Sequence, residues 1–120
     1  MAEWVFGKNG SPDLLFDDDC LRNNRGTVIA WIFNGSIYSL QGSHVGWYEN
    51  GILYDTNNMA LGFLQNCKGA LPSRPGLSGT PGLPGFSGRP GRPGFSGVPG
   101  RPGKGGWSQE ELSDYFENES

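Results

Sequence analysis

Placing Gly10, Gly26, Gly42 and Asn58 in one column aligns the first 72 residues of this chain with themselves, four copies at a period of sixteen. The aligned runs are NGSPDLLF (9–16), RGTVIAWI (25–32), QGSHVGWY (41–48) and NNMALGFL (57–64). The second half of the unit repeats too: Asn34-Gly35 stands over Asn50-Gly51, Ile37 over Leu53 and Tyr38 over Tyr54. A fixed period means that one supersecondary unit is used repeatedly, each copy covering the apolar face of its neighbour.

The turn residues identify the unit. Asn-Gly between apolar runs signals a two-residue hairpin, because both central residues of a type I′ turn need positive φ. Turn chemistry recurs about every eight residues, at Asn9-Gly10, Asp17 to Asp19, Arg25-Gly26, Asn34-Gly35, Gln41-Gly42, Asn50-Gly51 and Asn57-Asn58. Each unit therefore reads as two short strands, and the head as an all-β domain of eight. Alternation along a strand puts Val45 and Trp47 on one side, and Gly46 and Tyr48 on the other. The column Leu14, Ala30, Gly46, Gly62 is mostly small in mid-strand, so something is expected to lie close against the backbone there, either a symmetry mate or the glycine edge of the tail. The column Leu15, Trp31, Trp47, Phe63 is large in every copy. It reads first as hydrophobic core between the petals, and second as a binding platform.

Glycine then falls at every third position from Gly76 to Gly106. Such a ladder belongs to chains in the polyproline II conformation that wind together or pack edge-on, where only a hydrogen side chain fits. A longer period lies over it: GLSGTPGLP (76–84), GFSGRPGRP (85–93) and GFSGVPGRP (94–102) are three copies of one nine-residue unit. Proline never occupies the X position, while Leu77, Leu83, Phe86, Phe95 and Val98 do. A bulky X edge bearing Phe86, Phe95 and arginines suits packing on aromatic hairpins. If the four-fold head is a tetramer, and not four units within one chain, three-chain winding would also leave one tail unpaired. The tail is therefore expected to lie on a head, its own or a neighbour's.

The segment GGWSQEELSDYFENES closes the chain with a helix signal. Ser108 as N-cap with Glu111 three residues on forms a capping box, Trp107 is placed to staple onto Leu112, and Leu112, Tyr115 and Phe116 share one face. A helix of this length does not persist alone in water, so it is expected to fold against its own assembly or against another protein.

The run IYSLQGSHVGWYENGILYD, the following LGFL, the PSRPGLSGTPG tail and the GGWS ending together resemble the four-fold beta flower family of small bacterial proteins. The resemblance implies an all-β head of short hairpins with four-fold character, and it carries no assigned function. The first unit departs from the pattern, with Pro12 and Leu14-Leu15-Phe16 in place of the small-aromatic pair and three aspartates where Asn-Gly would be.

Charge is segregated. The head carries four Lys/Arg and seven Asp/Glu, residues 74–104 carry five basic residues and no acid, and residues 107–120 carry five acids and no base. Five charges along ~90 Å of polyproline II are too dilute for nucleic-acid binding. No apolar run approaches the ~18 residues of a membrane span and no export signal opens the chain, so cytoplasmic residence is expected. Cys20 and Cys67 form no metal-binding spacing and read as two buried thiols. His44 is the only histidine and has no aligned nucleophile or carboxylate, Asp17-Asp18-Asp19 lacks the spacing of a calcium loop, and no phosphate or dinucleotide motif is present. No catalytic, metal or cofactor residues are expected.

The expected organisation is a β-hairpin repeat head (1–72), a polyproline II tail (73–106) and a short acidic amphipathic helix (107–120). The expected role is a non-enzymatic homo-oligomeric interaction module, a tetramer before a trimer, whose helix cements assembly or recruits another protein. The residues expected to carry assembly or partner binding are Trp31, Gly46, Trp47, Gly62, Phe63, Phe86, Phe95, Trp107, Leu112, Tyr115 and Phe116. Two alternatives are a structural subunit of a fibre, filament or virion, resting on the glycine period, and a protein that sequesters a signalling nucleotide between petals.

Overall fold

A computed structural model describes residues 2–69 and 71–119; Ser120, the last residue of the expected helical segment, lies outside them. Eight strands follow one another: β1 (Ala2–Gly7), β2 (Pro12–Asp17), β3 (Cys20–Arg22), β4 (Val28–Phe33), β5 (Ser36–Ser39), β6 (His44–Glu49), β7 (Ile52–Tyr54) and β8 (Ala60–Leu64), and a helix α1 (Leu112–Glu119) ends the chain. Every strand pairs antiparallel with the next, and β8 returns to β1 through Val5 opposite Leu64 and Gly7 opposite Gly62. The sheet is thus a closed barrel with no free edge. Its four-fold character arises within one chain, two strands to each sixteen-residue unit.

Two kinds of turn alternate around the barrel. The tight ones use the predicted Asn-Gly pairs, with φ of 51° and 77° at Asn34-Gly35 and 52° and 86° at Asn50-Gly51. Asp18, at φ 57°, takes the same place in the first unit, so the three aspartates form an equivalent turn. The wide ones close with N–H to C=O bonds from Gly7 to Ser11, Asn23 to Thr27, Ser39 to Ser43 and Asp55 to Met59, at 3.0, 2.9, 2.8 and 2.9 Å. Each holds one positive-φ residue: Gly10, Gly26, Gly42 or Asn58.

Simple alternation fails at one position of every unit. The register shifts at Val5/Phe6, Leu21/Arg22, Ile37/Tyr38 and Leu53/Tyr54, and the extra residues opposite these bulges are Asp13, Ile29, Val45 and Leu61. A bulge turns its extra side chain away from the strand's ordinary alternation. Val45 consequently joins the interior cluster with Leu14, Leu21, Ile37 and Leu53, while Trp47 faces outward in another cluster. The sequence expectation that Val45 and Trp47 share a side is corrected by this bulge.

The bore is filled by side chains. Phe16 and Tyr48, from opposite units, stack across it with ring centroids 5.0 Å apart. The mouth ringed by the wide turns is closed by α1, whose Leu112 and Phe116 are each 1% exposed and belong to the interior cluster. Tyr115 donates its hydroxyl proton to the Val45 carbonyl at 2.7 Å. The helix starts at Leu112 rather than after Ser108. Ser108 instead donates to the Asp55 carboxylate at 2.7 Å and accepts the Glu110 N–H at 3.1 Å, and Trp107 packs near Phe63 with its indole N–H on Ser73, so the predicted capping box and staple are replaced by anchors to the barrel.

Candidate interaction site

The tail, free of helix and strand, is a strap wound around the barrel. Ser78, Ser87, Ser96 and Gly105 donate their backbone N–H to the carbonyls of Gly10, Gly26, Gly42 and Asn58, at 2.9, 3.2, 2.8 and 3.4 Å. Donors nine residues apart thus meet acceptors sixteen apart. The whole molecule measures 37 × 37 × 23 Å. At a rise of ~3.1 Å per residue nine residues reach ~28 Å, close to about 29 Å for a quarter of the circumference of such a disc. The nine-residue period is the arc from one petal to the next.

Contact is close at the turn glycines. A Cβ added at Gly10, Gly26 or Gly42 would overlap the carbonyl oxygens of Gly76, Gly85 or Gly94. At the fourth turn Asn58 carries a side chain and uses it, donating to the Pro102 carbonyl and accepting from the Arg101 Nε, both at 2.9 Å. The ladder glycines from Gly76 to Gly103 behave oppositely, with nothing within 4 Å of where a Cβ would stand.

Two rows of side chains join strap to head. In the first, Arg22 lies 4.6 Å from the ring of Phe86, Tyr38 stacks on Phe95 with centroids 4.1 Å apart and planes at 10°, and the Lys104 ammonium lies 5.6 Å from Tyr54. Phe6 and Leu77 occupy the equivalent places in one apolar cluster. In the second, Arg92, Arg101 and Arg74 lie over Trp31, Trp47 and Phe63 at 5.5, 5.5 and 5.3 Å. The large column is therefore buried on the outside of the barrel beneath the strap, at 2%, 5% and 0% exposure, and not in the interior.

Carboxylates complete the belt. Asp17 accepts from Arg22 at 2.9 Å and pairs with Arg89 at 3.0 Å, and Arg89 also bonds Asp19. Burial alone would push the Asp17 carboxyl up, but the hydrogen bonds and charges of the two arginines bring it below its ordinary 3.8. Arg22, itself buried, donates further to the carbonyls of Gly26 and Ser87 at 2.7 and 2.8 Å and so ties turn and strap together. Lys104 at 3.1 Å and Arg101 at 3.2 Å hold the Glu49 carboxyl below its usual range. The His44 ring packs edge-on to Tyr38 and Trp47 with neither nitrogen bonded among the described residues, and burial holds its pKa below 6.5.

Of the residues expected to carry assembly, Trp31, Trp47, Phe63 and Phe95 meet in this belt; Leu112, Tyr115 and Phe116 close the mouth. Phe86 stays 41% exposed above Arg22. The small column answers to neither expected neighbour. A Cβ at Gly62 would stand 2.8 Å from Leu112 Cδ2 and 2.9 Å from the Phe6 carbonyl, and one at Gly46 would overlap the Tyr54 carbonyl. Sequence reading left out Arg22, Asp17, Glu49 and Tyr38. Their signal was the match of two fourfold series, head columns sixteen apart and tail columns nine apart. Among the described residues, no group of three or more His, Cys, Asp and Glu is placed to hold a metal ion, and no helix is long and apolar enough to cross a membrane. A family model described as 4-fold beta flower protein matches residues 3–116. No curated protein and no solved structure matches the chain.

Proposed function

This chain belongs to the 4-fold beta flower protein family, and from that premise we propose that it is a non-enzymatic interaction module whose strapped rim meets its partners, copies of itself first. One observation carries this reading: the rim presents Phe33, Leu83, Phe86 and Val98 at 45%, 54%, 41% and 52% exposure. Large apolar side chains exposed around one belt mark surfaces that associate. The strap and helix serve assembly indirectly in this reading, by building and holding that rim. Light scattering of the full chain against Phe86→Ser and Val98→Ser tests it. Association that weakens in both variants supports the rim; a parent monomeric at every concentration removes homo-oligomerisation.

A second reading, a fibre or filament subunit, draws on the ladder glycines, whose open outer edge is free to meet another strap. Negative-stain micrographs decide between the two, since discrete particles at high concentration count against a filament.

A further inference from the structure

The strap poses a problem of register. A head with four similar petals offers a tail of similar nine-residue units several ways to sit, each one petal apart. Units 85–93 and 94–102 differ at a single residue, Arg89 against Val98, the fifth of the unit. All other positions in those two units would serve equally well on either petal.

The head differs at the matching place. Arg89 meets Asp17 and Asp19. Sixteen residues on from these lie Phe33 and Gly35, and nine on from Arg89 lies Val98. The bonds Ser87 to Gly26 and Ser96 to Gly42 establish that the two series advance together. Sixteen residues back from Asp19 is Glu3, and Thr80, the fifth residue of the first unit, lines one surface pocket with Glu3 and Gln65. The fifth residue is thus neutral at the petal of Glu3, cationic at the petal of Asp17 and Asp19, and apolar at the petal of Phe33.

We infer that the fifth residue of each nonapeptide reads its petal and sets the rotational register of the strap on the pseudo-four-fold head. Sliding the strap by one petal would take Arg89 from Asp17 and Asp19, leaving Asp17 to Arg22 alone, and bring it to Phe33. It would also move Phe86 from Arg22 onto Tyr38, an exchange that aromatic stacking tolerates. The first row of contacts therefore binds the strap in any register, and the fifth position tells the registers apart. Selectivity of this kind needs a mismatch penalty as well as an attraction, and an Asp19 carboxylate left facing Thr80, or Val98 in the opposite slide, supplies it.

The test exchanges the two residues in the full chain, R89V/V98R, which swaps the units without altering composition or the Gly-X-Y pattern. Ring-to-ring nuclear Overhauser contacts from Tyr38, with Phe86→Leu used to assign the partner ring, read the register directly. The parent is expected to show Tyr38 on Phe95 alone. The exchange variant is expected to add a second set of signals in which Tyr38 has lost Phe95, since the arginine moved to position 98 reaches Asp17 and Asp19 only when Phe95 moves back one petal onto Arg22, and amide exchange at Ser87 and Ser96 about fivefold faster, the scale of a partly exposed ion-pair network. A variant that keeps Phe95 alone on Tyr38 overturns the inference, whether or not exchange quickens, because the charge pair would then be local glue with no part in register. Arg89→Lys, which keeps the cation, is expected to retain the single register.

Discussion

The ring of Phe95 in the tail lies parallel on the ring of Tyr38 in the head, with centroids 4.1 Å apart and planes at 10°. Residues 57 positions apart in sequence thus share one apolar surface, and this contact represents how the strap is held: flat side chains on flat side chains, fastened by one backbone hydrogen bond per petal. Phe95→Ala is expected to cost about 1–3 kcal/mol, combining partial loss of burial with the aromatic pair itself. Urea titration measures it. Unchanged stability would mean that the strap adds nothing to the fold at this petal.

Glycine substitutions should behave in the reverse of a collagen helix. Gly42 sits at φ 95° with the Gly94 carbonyl against it, so Gly42→Ala is expected to lose at least about 1–2 kcal/mol for the left-handed backbone alone, and to speed amide exchange at Ser96. Gly88→Ala enters open space and is expected to leave thermal stability within about 0.5 kcal/mol. A triple helix would be disrupted by the second change instead. Equal, large losses in both variants would point to tails packed on one another.

The mouth of the barrel depends on the helix. Phe116→Ala removes a ring that is 1% exposed and is expected to cost about 3–5 kcal/mol. Gly62→Ala drives a methyl group toward Leu112 Cδ2 and the Phe6 carbonyl, so its cost is expected to shrink, without vanishing, in a Leu112→Ala background. A double-mutant cycle by chemical denaturation reads this coupling, and strict additivity would place Leu112 elsewhere.

Acid should act through His44. Burial lowers its folded pKa below the ordinary 6.5, so the unfolded chain takes up the proton first as pH falls. Stability is therefore complete above about pH 6.5 and declines as pH drops from there toward the folded pKa. His44→Phe cannot titrate, and its thermal midpoint is expected to gain on the parent over that window while running parallel above it. Asp17 and Glu49 lose their stabilising charge in both proteins at lower pH and cancel in the comparison. Parallel midpoints across pH 4 to 8 would mean that the imidazole is solvated.

Part of this arrangement is legible in the sequence. The Asn-Gly pairs demanded positive φ at Asn34, Gly35, Asn50 and Gly51, and hairpins followed, because that requirement is local. The bulges were not legible. Simple alternation puts Val45 on the same side as Trp47, and only pairing with Ile37 and Tyr38 makes it the extra residue that turns inward.

The glycine ladder draws the same boundary. By itself the sequence determined two repeats, sixteen in the head and nine in the tail, and hence turns, short strands and an extended tail, all properties of a few adjacent residues. Tertiary structure alone decided that eight strands close into one barrel, that the tight-packing glycines are Gly10, Gly26 and Gly42 rather than those of the ladder, and that Trp31 and Trp47 lie outside under Arg92 and Arg101. The last two depend on a length match, the arc between petals against the reach of nine extended residues, which exists only once the barrel has a circumference.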